Sequence, residues 1–505
     1  MCIRDRATFG PNQADFERLT ELGYDGWLTE QLELAPTLHR PQLEAQAAAG
    51  QSFGSLARQD VWWGVAVTAP DQLRQRAAFA WSELFVVSDD DQQLFLNQIG
   101  VADYYDMLVE GAFGNFRALL ESVARSPVMG IYLSMHRNEP ADPETNMHPD
   151  ENFARELLQL FSIGLVQLGS DGTVLEDSAG QPVATYDQLD VENLARAFTG
   201  WNFAGTTDWD NPVQSLEPME SWFEFHDQDA KEVLDGTLLP AAQSGEADLT
   251  QVLDAIVAHP NTGPFIARHL IQRLVSSNPT PSYVGRVAAV FADNGSGVRG
   301  DLTAVIRAVL LDEEVANGLE AAPSRFGKLR EPLLRVTALW RAFDGVPPEG
   351  VYTLGQAEAF LGQAPLSAPT VFNFFRPDHV PPGQVQQAAL VAPEMQLADE
   401  VRITLSTNLV RRLIYQGFEG APGMPPDPVW MDFSDEIALA EDPEALIDHL
   451  DLLLMGGAMG PAMRALLVDY IGSVSMTFGD LPPGMQRVLE AVYMISISPE
   501  GTFQP

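Results

Sequence analysis

Apolar residues along this chain recur mostly at helical spacing. Asn12 stands as a cap before Ala14-Asp15-Phe16-Glu17-Arg18-Leu19 and Asp25 before Gly26-Trp27-Leu28, with Gly23 as the stop between them. Pro70 and Asp71 open a longer helix that puts Leu73, Ala77, Ala80, Trp81 and Leu84 on one face. Asn115 caps Phe116 to Ala124, which Pro127 ends. The same spacing predicts helices near 150–163, 188–201, 247–258, 264–275, 281–293, 300–312, 326–343, 384–416, 434–455, 461–475 and 484–495. Two-residue alternation is rare. Val166-Gln167-Leu168, a turn at Asp171-Gly172 and Val174-Leu175 form a hairpin pattern, extended by Val183-Ala184-Thr185, and Trp222 to Phe225 reads as a local strand. The expected fold is mainly α: a large multi-helix unit with a small β-hairpin insertion near 165–186.

No run repeats at a fixed period, which disfavours a solenoid. The Pro/Gly-rich pieces at 345–350, 376–383 and 419–428 read as loops or subdomain joints, so residues 7–505 are expected to form a single large helical unit. Residues 1–6, Met1-Cys2-Ile3-Arg4-Asp5-Arg6, show no helical or strand logic and read as a translated leader left by sequence assembly. The uncharged stretch from Leu452 to Met463 is broken by Gly456, Gly457, Gly460 and Pro461 and is too short for the ~30 Å of a bilayer core.

Charge narrows the partners. With 29 basic and 70 acidic residues among 505, the formal net charge is -41, which opposes binding to a phosphate backbone or an anionic membrane surface. A chain that is 46% apolar and 20% charged still has ample material for a core, so the acidity is a surface property. The basic residues are lopsided: only Lys231 and Lys328 are lysines, leaving 27 arginines. Where a residue type has been nearly emptied, its survivors are expected to stand where geometry or chemistry requires them. Cys2 is the single cysteine, which excludes an internal disulfide, a zinc–thiolate site and thioether-attached haem.

Two clusters carry the candidate chemistry. In His148-Pro149-Asp150-Glu151-Asn152-Phe153-Ala154-Arg155-Glu156, a helix start brings Asn152, Arg155, Glu156 and Gln159 onto one polar stripe, either solvated or lining a cleft. In Trp222-Phe223-Glu224-Phe225-His226-Asp227-Gln228-Asp229-Ala230-Lys231, a histidine, two aspartates and a rare lysine fall close together within the acidic stretch 206–235. That grouping reads as a structural turn or as a pocket for a cation or amine. Its spacing is not that of an EF-hand, so a divalent cation is compatible with the loop without being implied. Gly50-Gln51-Ser52-Phe53-Gly54 imitates a nucleophile elbow but follows a helix instead of a strand. His-Glu-x-x-His and Walker A runs are missing, and the Gly-x-Gly-x-x-Gly spacing at Gly295-Ser296-Gly297-Val298-Arg299-Gly300 follows a helical run instead of a strand, which leaves metalloprotease and nucleotide readings without footing.

Several blocks together resemble a known bacterial family, domain of unknown function 1800. They are Ala7-Thr8-Phe9-Gly10-Pro11, Leu22-Gly23-Tyr24 with Trp27-Leu28, Asn152 to Leu157, Ala195-Arg196-Ala197-Phe198-Thr199-Gly200-Trp201, His226-Asp227 with Lys231, His259-Pro260 with Phe265 to Arg268, and Pro369 to Phe375. Phe326-Gly327-Lys328-Leu329-Arg330-Glu331-Pro332 also falls on a family block, where capping and an ion pair with Glu331 are expected. The resemblance implies an exported or periplasmic protein encoded beside a second family similar to arylsulfatases and alkaline phosphatases. One departure stands out: the family's glycine between His-Asp and Lys is Asp229 here, which raises the question of a positive φ at that turn.

Two functions compete. One is an accessory or scaffold protein that binds the sulfatase- or phosphatase-like partner. The other is a hydrolase with Glu156, His226 and Asp227 as catalytic groups and Asn152, Arg155, Trp201 and Lys231 binding the substrate, which requires the 148–159 helix and the 226–231 turn to meet.

Overall fold

The computed structural model describes residues 3–51, 53–419, 421 and 429–504. Met1, Cys2, Ser52 of the elbow-like run and most of the 419–428 loop lie outside the described residues. The fold is mainly α, with three two-stranded antiparallel sheets among the described residues. One hydrophobic cluster runs from Ala7 to Ile495, drawing on helices from both ends of the chain. Residues 345–350 are stitched to the later chain by paired backbone hydrogen bonds between Val346 and Trp430, at 2.8 and 2.9 Å.

Most expected helices form, and their breaks have physical causes. Prolines start new helices inside three runs expected to be continuous, because a residue without an N–H fits the first helical turn and no later one. The 326–343 run becomes a strand at Lys328–Leu329 and a helix at Pro332–Ala342. The 434–455 run becomes Ser434–Leu439 and Pro443–Met455, the latter capped by Asp442. The 384–416 run divides into Gln384–Gln387, a 3-10 turn at Pro393–Leu397 and Glu400–Gln416, capped by Asp399. Near the N-terminus, Asn12 closes a capping box with Asp15, and Gly23, at φ 68° and ψ 176°, breaks the segment Gln13–Glu33 into two helices joined at a kink, as its place in the sequence predicts. The Asp25 carboxylate, expected as the second cap, pairs instead with Arg307.

Helices at Ser55–Thr68 and Gln98–Gly111 were not expected; both are buried on most sides and so show no amphipathic stripe. Ile3–Ala7 is a short helix, contrary to the expectation of no helical logic there, and Asp5 ion-pairs with Arg330 at 2.7 Å. The 165–186 insertion is a small meander, with hydrogen bonds from Gln167 N–H to Val183, Leu175 N–H to Gln167 and Val183 N–H to Leu175. Phe223–Phe225, expected as a strand, is a 3-10 turn; the pairing there is Glu220–Ser221 with Trp201–Asn202. Among the described residues no helix is long and apolar enough to cross a membrane.

Candidate functional site

The 226–231 turn is drawn into the protein by two helix ends. Asp248 lies in the first turn of the helix Gly245–Ala258, where the helix dipole favours a carboxylate. Thr199 follows the end of Gln188–Ala197 and leaves its carbonyl without an intrahelical donor. His226 spans the two: Nδ1 lies 3.0 Å from the Thr199 carbonyl oxygen and Nε2 3.1 Å from Asp248 Oδ2. The ring and the Asp248 carboxylate are wholly shielded from solvent.

Lys231 closes the knot with all three ammonium donors. Its Nζ donates to the Asp227 carbonyl oxygen at 2.6 Å, to the Asp229 carbonyl oxygen at 3.1 Å and to Asp248 Oδ2 at 2.8 Å. Arg196 donates to Asp227 from Nε (2.9 Å) and Nη2 (3.0 Å), while the Thr199 hydroxyl accepts the Asp227 N–H. Burial alone would raise Asp248 and Asp227. Hydrogen bonds from His226 and Lys231 to the first, and from Arg196 to the second, outweigh it and hold both below the ordinary range.

Gly200 is where the chain segments cross. Its N–H donates to Asn138 and its carbonyl accepts the Trp222 N–H. At φ +81°, an added Cβ would lie 2.9 Å from both the His226 nitrogen and the Trp222 carbonyl oxygen. Gly200→Ala is therefore expected to destabilise the fold by about 2 kcal/mol, since both the left-handed backbone and the backbone contact penalise a side chain. Chemical denaturation measures it, and an unchanged midpoint would contradict the crossing. Asp229, by contrast, is not among the residues with positive φ. Its N–H donates to Asp227 Oδ1, so aspartate sits at this turn without left-handed strain.

The 150s helix forms a different environment. In Asn152–Gln159, Asn152 is exposed and Arg155 pairs with Glu151 at 2.6 Å, but Glu156 turns inward. Burial raises its pKa, and Oε2 has no partner among the described residues. Tyr186 and Tyr132 feel its charge, and the Tyr186 hydroxyl is likewise without a partner. No hydrogen bond or ion pair among the described residues joins Glu156, Asn152 or Arg155 to His226, Asp227 or Lys231. The segments are linked at one remove, through Asn138, which bonds Asp150 with its side chain and Gly200 with its carbonyl. Trp201 is fully buried, its Nε1 without a partner among the described residues and Arg125 lying over the ring.

The second lysine repeats the pattern. Lys328 donates to the Arg273 carbonyl oxygen at 2.9 Å and contacts Glu394 at 3.0 Å and Glu331, the partner expected from sequence, at 3.5 Å. The Arg273 carbonyl lies in the last turn of Thr262–Leu274 and also accepts Arg76 Nη2 at 2.8 Å, so both its lone pairs are used. Glu83 faces Arg273 at 3.4 Å and lies within hydrogen-bonding reach of Glu331. Burial, helped by Glu331, pushes Glu83 up to about 8, against the pull of Arg273. A proton on Glu83 supplies the donor that Glu83 Oε2 and Glu331 Oε1 otherwise lack.

Sequence reasoning missed Asp248, Glu83, Arg273 and Glu394. Asp248 looks like any acid in a first helical turn, and its partners lie 17 and 22 residues upstream. Among the described residues no three His, Cys, Asp or Glu side chains gather as a metal site, in the 206–235 loop or elsewhere. No curated protein matches the chain, and no solved structure does. The family described as "Protein of unknown function (DUF1800)" matches residues 3–502, nearly the whole length and every block discussed above, and the chain belongs to it.

Proposed function

We propose that the chain is an exported or envelope-associated accessory protein that holds a sulfatase- or phosphatase-like partner and does no chemistry itself. The observation that carries this reading is the saturation of the 226–231 turn: Lys231 spends all three donors inside the protein, and His226 has an internal partner at each ring nitrogen. A catalytic acid, base or anion-binding group needs a free position facing substrate, and these have none. The family resemblance supports the compartment and the partner.

Such a role also needs apolar surface. Leu56, Phe95 and Val401, each more than half exposed, line one open depression of about 1050 Å³ whose rim includes Asp90, Glu358 and Asp399. Co-expression with a sulfatase- or phosphatase-like protein of the kind the family resemblance implies is expected to yield a stable complex, and the double variant Leu56→Glu/Val401→Glu is expected to lose it. Two proteins eluting separately at micromolar concentration would contradict the reading.

The hydrolase alternative rests on Glu156, whose inward carboxyl with a raised pKa suits a general acid. It would have to work without the 226–231 turn.

A further inference from the structure

A second cavity, of about 670 Å³, opens beside Lys328, bounded by Lys328, Leu329 and Phe503 of the sheet that joins Lys328–Leu329 to Phe503–Gln504 and by the start of the helix Glu400–Gln416. Its size is that of a small-molecule site. Five cationic side chains line it, Arg325, Lys328, Arg330, Arg335 and Arg402, against one carboxylate, Glu394. In a chain where 70 acids face 29 bases, this wall inverts the overall balance.

Three of the five are neutralised in place. Lys328 pairs with Glu394, Arg330 with Asp5, and Arg402 with Asp399. The other two meet only neutral groups among the described residues. Arg325 donates Nη2 to the carbonyl oxygens of Asn278 and Pro279, and its buried Nε has no partner. Arg335 donates Nη2 to the Ser496 carbonyl oxygen at 3.1 Å. Burial, with Arg330 adding to it, pulls the Arg335 guanidinium down to about 10, the signature of a cation whose charge is uncompensated. The remaining wall is largely apolar, including Leu361, Leu390, Leu397, Ile403, Ile497 and Phe503.

We propose that this cavity binds an amphiphilic anion, a carboxylate, sulfate or phosphate head on an apolar body, with Arg335 and Arg325 holding the head and the aliphatic wall the body. A planar guanidinium with unused donors suits an oxyanion, and partial desolvation strengthens that hydrogen bond. Neither half of the chemistry suffices alone: an inorganic anion leaves the apolar wall wet, and an uncharged amphiphile leaves the arginines uncompensated. Arg402 also borders the depression proposed for the partner, so the two sites share a wall, but ligand binding does not depend on that reading.

The test uses the full chain and fluorescence of 1-anilinonaphthalene-8-sulfonate, displaced by decanoate, decanol or inorganic phosphate, with a thermal melt confirming the folded state. Decanoate is expected to displace the probe at least about tenfold more tightly than decanol or phosphate, and Arg335→Met to remove that preference while leaving decanol unchanged. Arg325→Met is expected to weaken decanoate in the same direction and serves if Arg335→Met does not fold. Equal displacement by decanol and decanoate, full displacement by phosphate alone, or a decanoate preference that survives both substitutions would overturn the proposal.

Discussion

Lys231→Met and Lys328→Met are each expected to lower the unfolding free energy by about 3–5 kcal/mol, the loss seen when one partner of a buried ion network is removed. The reason lies in what stays behind. Without Lys231, the Asp248 carboxylate keeps, among the described residues, His226 and Gln243 as close polar partners, and the carbonyls of Asp227 and Asp229 lose their donor. Without Lys328, Glu331 and Glu394, both fully buried, lose their shared cation. Against a typical total of about 5–15 kcal/mol, either loss is a large fraction. Arginine is expected to restore little at either place. An ammonium aims three donors from one point, whereas a guanidinium spreads five across a rigid plane and needs more room. Urea unfolding of the two Met and two Arg variants measures this, and midpoints close to the parent would contradict it. That geometry also accounts for lysine surviving at these two positions in a chain that otherwise uses arginine.

The second large effect is one of pH. Glu83 is held up at about 8 in the folded protein against an ordinary value of 4.5. Between those values the native state keeps a proton that the unfolded chain has lost, so this group's contribution is complete below about 4.5 and is lost as pH rises towards 8. His269 works in the opposite sense: burial, with Arg273 adding to it, lowers it from 6.5 to about 3, so its contribution is complete above 6.5 and is lost only as pH falls below that. The window from pH 6.5 to 8 therefore separates the two. Stability is expected to fall there by roughly 2 kcal/mol, at about 1.4 kcal/mol per pH unit less the curvature near the upper end. Glu83→Gln should flatten the slope, because an amide donates to Glu331 as the protonated acid does, without being able to ionise. Unfolding curves for the two proteins at pH 6.5, 7.2 and 8 decide it, and parallel slopes would show that Glu83 does not carry the proton.

Amphipathic helices and their caps were legible because their signals are local: Asn12 and Asn115 act within a few residues of themselves. Helices buried on most sides, such as Gln98–Gly111, left no stripe to read. The knots were half legible. Scarcity pointed to Lys231 and Lys328, and the motif blocks pointed to His226, Asp227 and Gly200. Whether those groups face solvent or one another was not, because that depends on Asp248, Glu394 and Arg273, ordinary residues in ordinary helices brought in from elsewhere in the chain. Glu156 shows the same limit in reverse: helical spacing placed it on a polar stripe, and tertiary packing turned it inward.

The central claim is that the lysine and the carboxylates of the 226–248 region hold each other and serve the fold. A double-mutant cycle of Lys231→Met and Asp248→Leu, read by urea unfolding, tests it most directly. Each single variant strands a buried group, and the pair together strands fewer, so the double variant is predicted to be more stable than the sum of the singles by at least about 2 kcal/mol. Losses that add to within about 0.5 kcal/mol would contradict it, because two side chains that do not depend on each other would behave in that way.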